Sequence, residues 1–122
     1  MTIALYKTIA SLGAWIRTQN HKGRHYKSRC YISGQTTGLD IYEAYTNFVR
    51  AEAVVKKTYI PVNPMTIHPD NLTWLQYMVL DVWELLFCKT IYLQRNWRRS
   101  KGAKIERLIS VITKKEIIYE KQ

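Results

Sequence analysis

The segment Ser100-Lys101-Gly102-Ala103-Lys104-Ile105-Glu106 is the part of this chain best suited to chemistry. Ser100 is a helix-capping residue type, and the backbone N–H groups of the turn it would open form a natural anion site. Gly102 and Glu106 lie four apart on one helical face, and helical side chains lean toward the N-terminus. Glu106 is therefore expected to point over a turn where glycine leaves space, near whatever the helix end holds. A carboxylate placed there suits work on a sugar whose phosphate is held beside it. The same spacing also suits a solvated glutamate paired with nearby Lys or Arg, and spacing alone leaves both open.

Asp81 is the second candidate. It sits between Val79 and Val82, beside an apolar stripe where an exposed-face charge would not ordinarily lie. It could bond a sugar hydroxyl or orient Glu106, or serve as a partly buried structural aspartate. Two carboxylates flanking a glycosidic bond are what glycosyl chemistry uses. The loop Ser33-Gly34-Gln35-Thr36-Thr37-Gly38 is neither a Walker loop nor a dinucleotide fingerprint. It says only that backbone comes close to something. His68 precedes Pro69, and the other histidines are His21 and His25, so no metal or other cofactor is expected.

The elements that must position these residues alternate. Cys30-Tyr31-Ile32 is a short β-prone run ending at Ser33-Gly34. Asp40 with Glu43 suits a capping box, and Ala44, Phe48, Ala51 and Val55 repeat with helical spacing. Tyr59 to Val62 is a second strand stopped by Asn63-Pro64, and a loop continues to Asn71. Thr73 and Gln76 make a second capping box, followed by the helical stripe Leu72, Leu75, Val79, Val82 and Leu86. Cys88 to Leu93 is a third strand, and a polar loop over 94–100 leads to a third helix through Ile105, Leu108, Ile109 and Ile112. Ile117-Ile118-Tyr119 is a last strand.

This order predicts an α/β fold, a parallel sheet of four to five strands with helices on both faces. Ligands of such sheets bind outside the carboxyl ends of the strands. That rule brings 33–38, 63–68 and 94–102 to one crevice.

With 122 residues the chain has room for one compact domain. Its formal charge of +10 is concentrated at the two ends. Residues 1–29 carry six bases and no acid, and residues 95–122 carry nine bases and three acids. Residues 1–28 are expected to be a basic extension, helical in part along Ile3, Leu5, Ile9, Leu12 and Ile16, with a linker from Arg17 to Arg29. The domain proper is expected over 29–122. Such a field favours polyanions or phosphorylated small molecules, and a plain solubilising surface would carry it equally well. Tyr26, Tyr31 and Trp97 lie among basic residues as a nucleic-acid stacking platform would require, although no known nucleic-acid motif accompanies them. Nucleic acid is thus the runner-up partner. Two cysteines cannot form a disulfide framework. No apolar run reaches a membrane span and no signal peptide is read, so a reduced cytoplasmic setting is expected.

Several of these residues carry a likeness. Tyr31-Ile32-Ser33-Gly34, Thr37-Gly38, Asn63-Pro64, Trp74 with Tyr77-Met78 and Asp81, and Trp97-x-x-Ser100-x-Gly102-Ala103-x-x-Glu106 resemble, in order over about 29–120, the DUF4406 family. That family looks like a small branch of the nucleoside 2-deoxyribosyltransferase superfamily, often encoded by phages and their bacterial hosts. The resemblance implies a flavodoxin-like (Rossmann-like) fold and cleavage or exchange of the N-glycosidic bond of a deoxynucleoside or its 5′-monophosphate. It implies Glu106 as nucleophile, Asp81 at the sugar or assisting the base, and Ser100 at a phosphate. Ser33 and Gly34 would line the sugar and base, and Asn63, Trp97, Gly102 and Ala103 would complete the substrate site. It further implies a homo-oligomer, in which a neighbouring subunit helps to complete the site. A binding protein that holds a nucleotide ligand without turnover is the alternative. The chain departs from the family at Gln35, where many relatives have Pro, and at Lys89, where many have Asp.

Overall fold

A computed structural model describes residues 28–121. The expected N-terminal helix and nearly all of the basic extension lie outside the described residues. The elements run β1 (Arg29–Ser33), α1 (Ile41–Val55), β2 (Ile60–Val62), α2 (Pro64–Ile67), α3 (Trp74–Leu86), β3 (Thr90–Leu93), a 3-10 turn (Trp97–Arg99), α4 (Lys101–Ile112) and β4 (Glu116–Tyr119). The four strands form one parallel sheet in the order β2-β1-β3-β4. The fold is α/β, a four-stranded parallel sheet with helices on both faces, consistent with a flavodoxin-like arrangement.

Local chemistry sets the element ends. The Asp40 side chain accepts from the Tyr42 N–H at 2.7 Å to start α1. Thr73 and Gln76 form the reciprocal capping box of α3. Gly38, at φ +91°, takes a left-handed conformation that closes the turn in which the Leu39 N–H meets the Thr36 carbonyl. The short helix α2 replaces the start of the expected loop. Asn63 caps it, and Pro64 suits its first turn, where no N–H is needed.

Two-residue alternation along the central strands builds one core on each face. Cys30, Ile32 and Tyr92 pack with Phe48, Ala51 and Val55 of α1. Tyr31, Ile91 and Leu93 pack on the other face with Val62, Leu85 and Cys88, against α3 and α4. The α1 stripe read from sequence is buried at every expected position.

The faces of α3 and α4 differ from a simple apolar-inward pattern. Helix α3 buries Met78, Leu80, Glu84 and Leu85, while Leu75, Val79 and Leu86 of the sequence stripe stand exposed. Helix α4 buries Gly102, Ala103, Glu106 and Ser110, and Leu108 and Ile112 are exposed. The polar residues these two helices bury meet partners there: the buried Arg29 guanidinium stands 3.3 Å from the Glu84 carboxylate. Arg29, expected at the end of a linker, is the first residue of β1 and is 2% exposed. The outward stripe of α3, with Ile105 of α4, lines a groove of about 470 Å³ formed by Trp74, Leu75, Met78, Val79, Val82, Trp83 and Leu86.

Candidate active site

The site is built where β1, α3 and α4 meet. Tyr31 and Ser33 are two apart on β1, so both hydroxyls face the α3–α4 side. The register of β1 on β3 holds Ser33 opposite Leu93 at the carboxyl end of the sheet. Ser100 accepts the Ala103 N–H at 3.0 Å and fixes the start of α4. Glu106 then falls in the second turn, 4% exposed, with its side chain under the sheet's end.

Both Glu106 carboxylate oxygens are held. The Ser33 hydroxyl donates to Oε1 at 2.6 Å, and the Tyr31 hydroxyl donates to Oε2 at 2.7 Å. Burial pushes the Glu106 carboxyl up to about 8, and the negative charge of Asp81 adds to the rise, while the two hydroxyls pull the other way. Asp81, on α3, is also raised by burial, with His68 and the Tyr31 hydroxyl opposing. Its Oδ1 is 3.0 Å from His68 Nδ1, and the His68 side chain is 4% exposed. Burial, Asp81 and Glu106 raise the Tyr31 phenol as well. His68, Asp81, Tyr31, Glu106 and Ser33 therefore form one linked chain of polar groups inside an apolar shell.

A carboxylate so arranged can be a nucleophile, or with its proton an acid, and a second carboxyl alongside allows the two roles to be divided. The cysteines are poor nucleophiles: both are buried and unpaired, with Cys30 raised by burial and Cys88 pushed up to about 12 by the same cause. Among the described residues no cluster of three His, Cys, Asp or Glu side chains could hold a metal ion.

The other expected residues divide. Ser33 joins Glu106 directly, and Gly34 follows at the strand end, packed on Gln94. Ser100 caps α4, beside Arg98, Arg99 and Lys101. Lys101 Nζ stands 5.1 Å over the Trp74 ring. The Asn63 side chain is engaged in structure: its Oδ1 accepts from the Met65 N–H at 3.0 Å, and its Nδ2 donates to Glu52 at 3.1 Å. Trp97 packs against Tyr119 and lies beneath the Arg98 and Arg107 guanidinium groups. Ala103 is 1% exposed. The space left by Gly102 is filled by Met78, whose Sδ would be 2.9 Å from a methyl there. Glycine at this position thus serves the close approach of α4 to Met78 of α3.

Tyr31 and His68 were not among the expected site residues. The two-residue period of a strand was signal enough for Tyr31, since it must share a face with Ser33. His68 lies in the 63–68 segment that the strand-end rule brings to the crevice, but no local pattern pairs it with Asp81.

No helix among the described residues is long and apolar enough to cross a membrane. No curated protein and no solved structure matches the chain. The family described as a domain of unknown function, DUF4406, matches residues 28–119, which include every strand and every residue of the Glu106 cluster. The chain belongs to the DUF4406 family.

Proposed function

We propose that the protein is a nucleotide N-glycosidase or 2-deoxyribosyltransferase, acting on the N-glycosidic bond of a deoxynucleoside 5′-monophosphate. The observation that carries this reading is the buried Glu106 carboxyl, held on both oxygens by Ser33 and Tyr31 and set beside Asp81. Once ionised, Glu106 attacks the anomeric carbon through an oxocarbenium-like transition state. A C–O bond forms to Glu106, and the C–N bond breaks with its electron pair leaving on the base. Asp81, whose negative charge acts on Glu106, fixes the sugar, and the departing base takes its proton from water. Water, or a second base, then cleaves the glycosyl ester and frees Glu106. The 5′-phosphate is assigned to the start of α4, where Ser100 and the first-turn N–H groups lie next along the chain to Arg98, Arg99 and Lys101.

A homo-oligomer joined through the outward face of α3 belongs to the same proposal. Trp74, Leu75, Val79, Trp83 and Leu86 are each 37–66% exposed there, which is unusual for a solvated helix face.

The test is release of free base from a panel of deoxynucleoside 5′-monophosphates, followed by chromatography for the wild type and Glu106→Ala. Release by the wild type alone is expected, with kcat/KM rising as pH passes about 8 and the free enzyme's Glu106 ionises. No release from any member, with or without an acceptor base, would overturn the reading.

A further inference from the structure

Gln94 follows β3 directly and is 1% exposed. Its backbone N–H donates to the Ser33 carbonyl at 3.0 Å, which holds it at the seam between the carboxyl ends of β1 and β3. Its side-chain amide lies against Gly34. A methyl at Gly34 would stand 2.6 Å from both Cδ and Nε2, and 3.1 Å from Oε1. Any larger residue at 34 would therefore displace the amide. Neither Nε2 nor Oε1 has a hydrogen-bond partner among the described residues. Buried amides are ordinarily satisfied, because an unpaired donor or acceptor keeps its full desolvation cost. The open amide is one residue along the sheet edge from Ser33, whose hydroxyl holds Glu106.

We propose that Gln94 reads the base of the bound nucleotide, an assignment that rests on the nucleotide reading above. A primary amide presents an N–H donor and a carbonyl acceptor side by side. That pair matches an edge carrying an acceptor next to a donor, such as a ring nitrogen beside an amino group or a ring N–H beside a carbonyl. Nucleobases have such edges, and a bare sugar phosphate does not. Gly34 keeps the amide in place by having no side chain. Gln94 is thus a specificity-determining residue, separate from the groups that act on the sugar.

The test is calorimetric binding in a Glu106→Gln background, where nothing is turned over. The probes are the four common deoxynucleoside 5′-monophosphates and 2-deoxyribose 5-phosphate. Gln94→Leu keeps the bulk and removes the pairing. It is expected to weaken the best-bound monophosphate at least tenfold, while 2-deoxyribose 5-phosphate changes less than twofold. Gly34→Ala, which leaves Gln94 intact but crowds its amide, is expected to act in the same direction and serves if Gln94→Leu does not fold. Unchanged affinity for all four monophosphates in either folded variant would overturn the inference and leave the amide a structural group. A parent protein that binds 2-deoxyribose 5-phosphate as tightly as any monophosphate would overturn it too, with the glycosidase reading standing. A parent that binds none of the five probes would overturn both.

Discussion

Replacing Glu106 with glutamine removes a buried ionisable group and keeps its shape, so stability against pH becomes a direct reading of the site. The Glu106 carboxyl moves from its ordinary 4.5 to about 8 on folding, through burial first and the Asp81 charge second. Between those values the native state holds a proton that the unfolded chain has released. Stability is therefore greatest below about 4.5 and declines as pH rises toward 8. One proton gives a slope of about 1.4 kcal/mol per pH unit. Over the whole window this group contributes at most about 5 kcal/mol, and relaxation or water entry at the site would lower the figure. Urea unfolding of the wild type and Glu106→Gln, at half-unit steps from pH 5 to 9, measures it. The wild type is expected to lose stability across this range more steeply than the variant, and the variant to be the more stable of the two at pH 9. Ser33 and Tyr31 can turn their hydroxyls to suit the glutamine amide, so the substitution itself costs little. Equal slopes would refute the reasoning, because they would mean that Glu106 is hydrated and ordinary.

Two further outcomes are expected. Arg29→Ala alone should destabilise by about 3–5 kcal/mol in urea melts, since it strands the buried Glu84 carboxylate; Arg29→Met with Glu84→Leu should recover most of the loss. Leu75→Glu, which charges the outward groove of α3, should convert an oligomer to a monomer in light scattering without lowering the melting temperature; a wild type that is itself monomeric would remove that part of the proposal.

How far the sequence could be read depended on where each residue's partner lies. The alternation of strand and helix, the α1 stripe and the Thr73–Gln76 capping box rest on interactions within a few residues, and all three stand in the fold. The inward face of α3 rests on distant partners. Asp81 meets His68 and Glu84 meets Arg29, so the buried side carries carboxylates and the apolar residues next to it turn outward. No periodicity within 74–86 separates those two faces. Gly102 shows the same limit: its glycine signal was plain, but the atom that fills the space comes from Met78. For Glu106, helical spacing alone favoured a solvated glutamate, and the hydroxyls of β1 are what hold it inside.

The Ser33–Glu106 hydrogen bond joins positions 73 apart, and the Tyr31–Glu106 bond joins positions 75 apart. Before β1 pairs with β3 and α4 docks, Glu106 is a hydrated side chain with an ordinary proton affinity. The medium that alters it exists only once both ends of the described chain have met. The raised proton affinity of Glu106 is thereby made a property of the finished topology, and a nascent or partly opened chain lacks it. Any fluctuation that lifts α4 from the sheet would return the carboxyl to water and to its ordinary proton affinity.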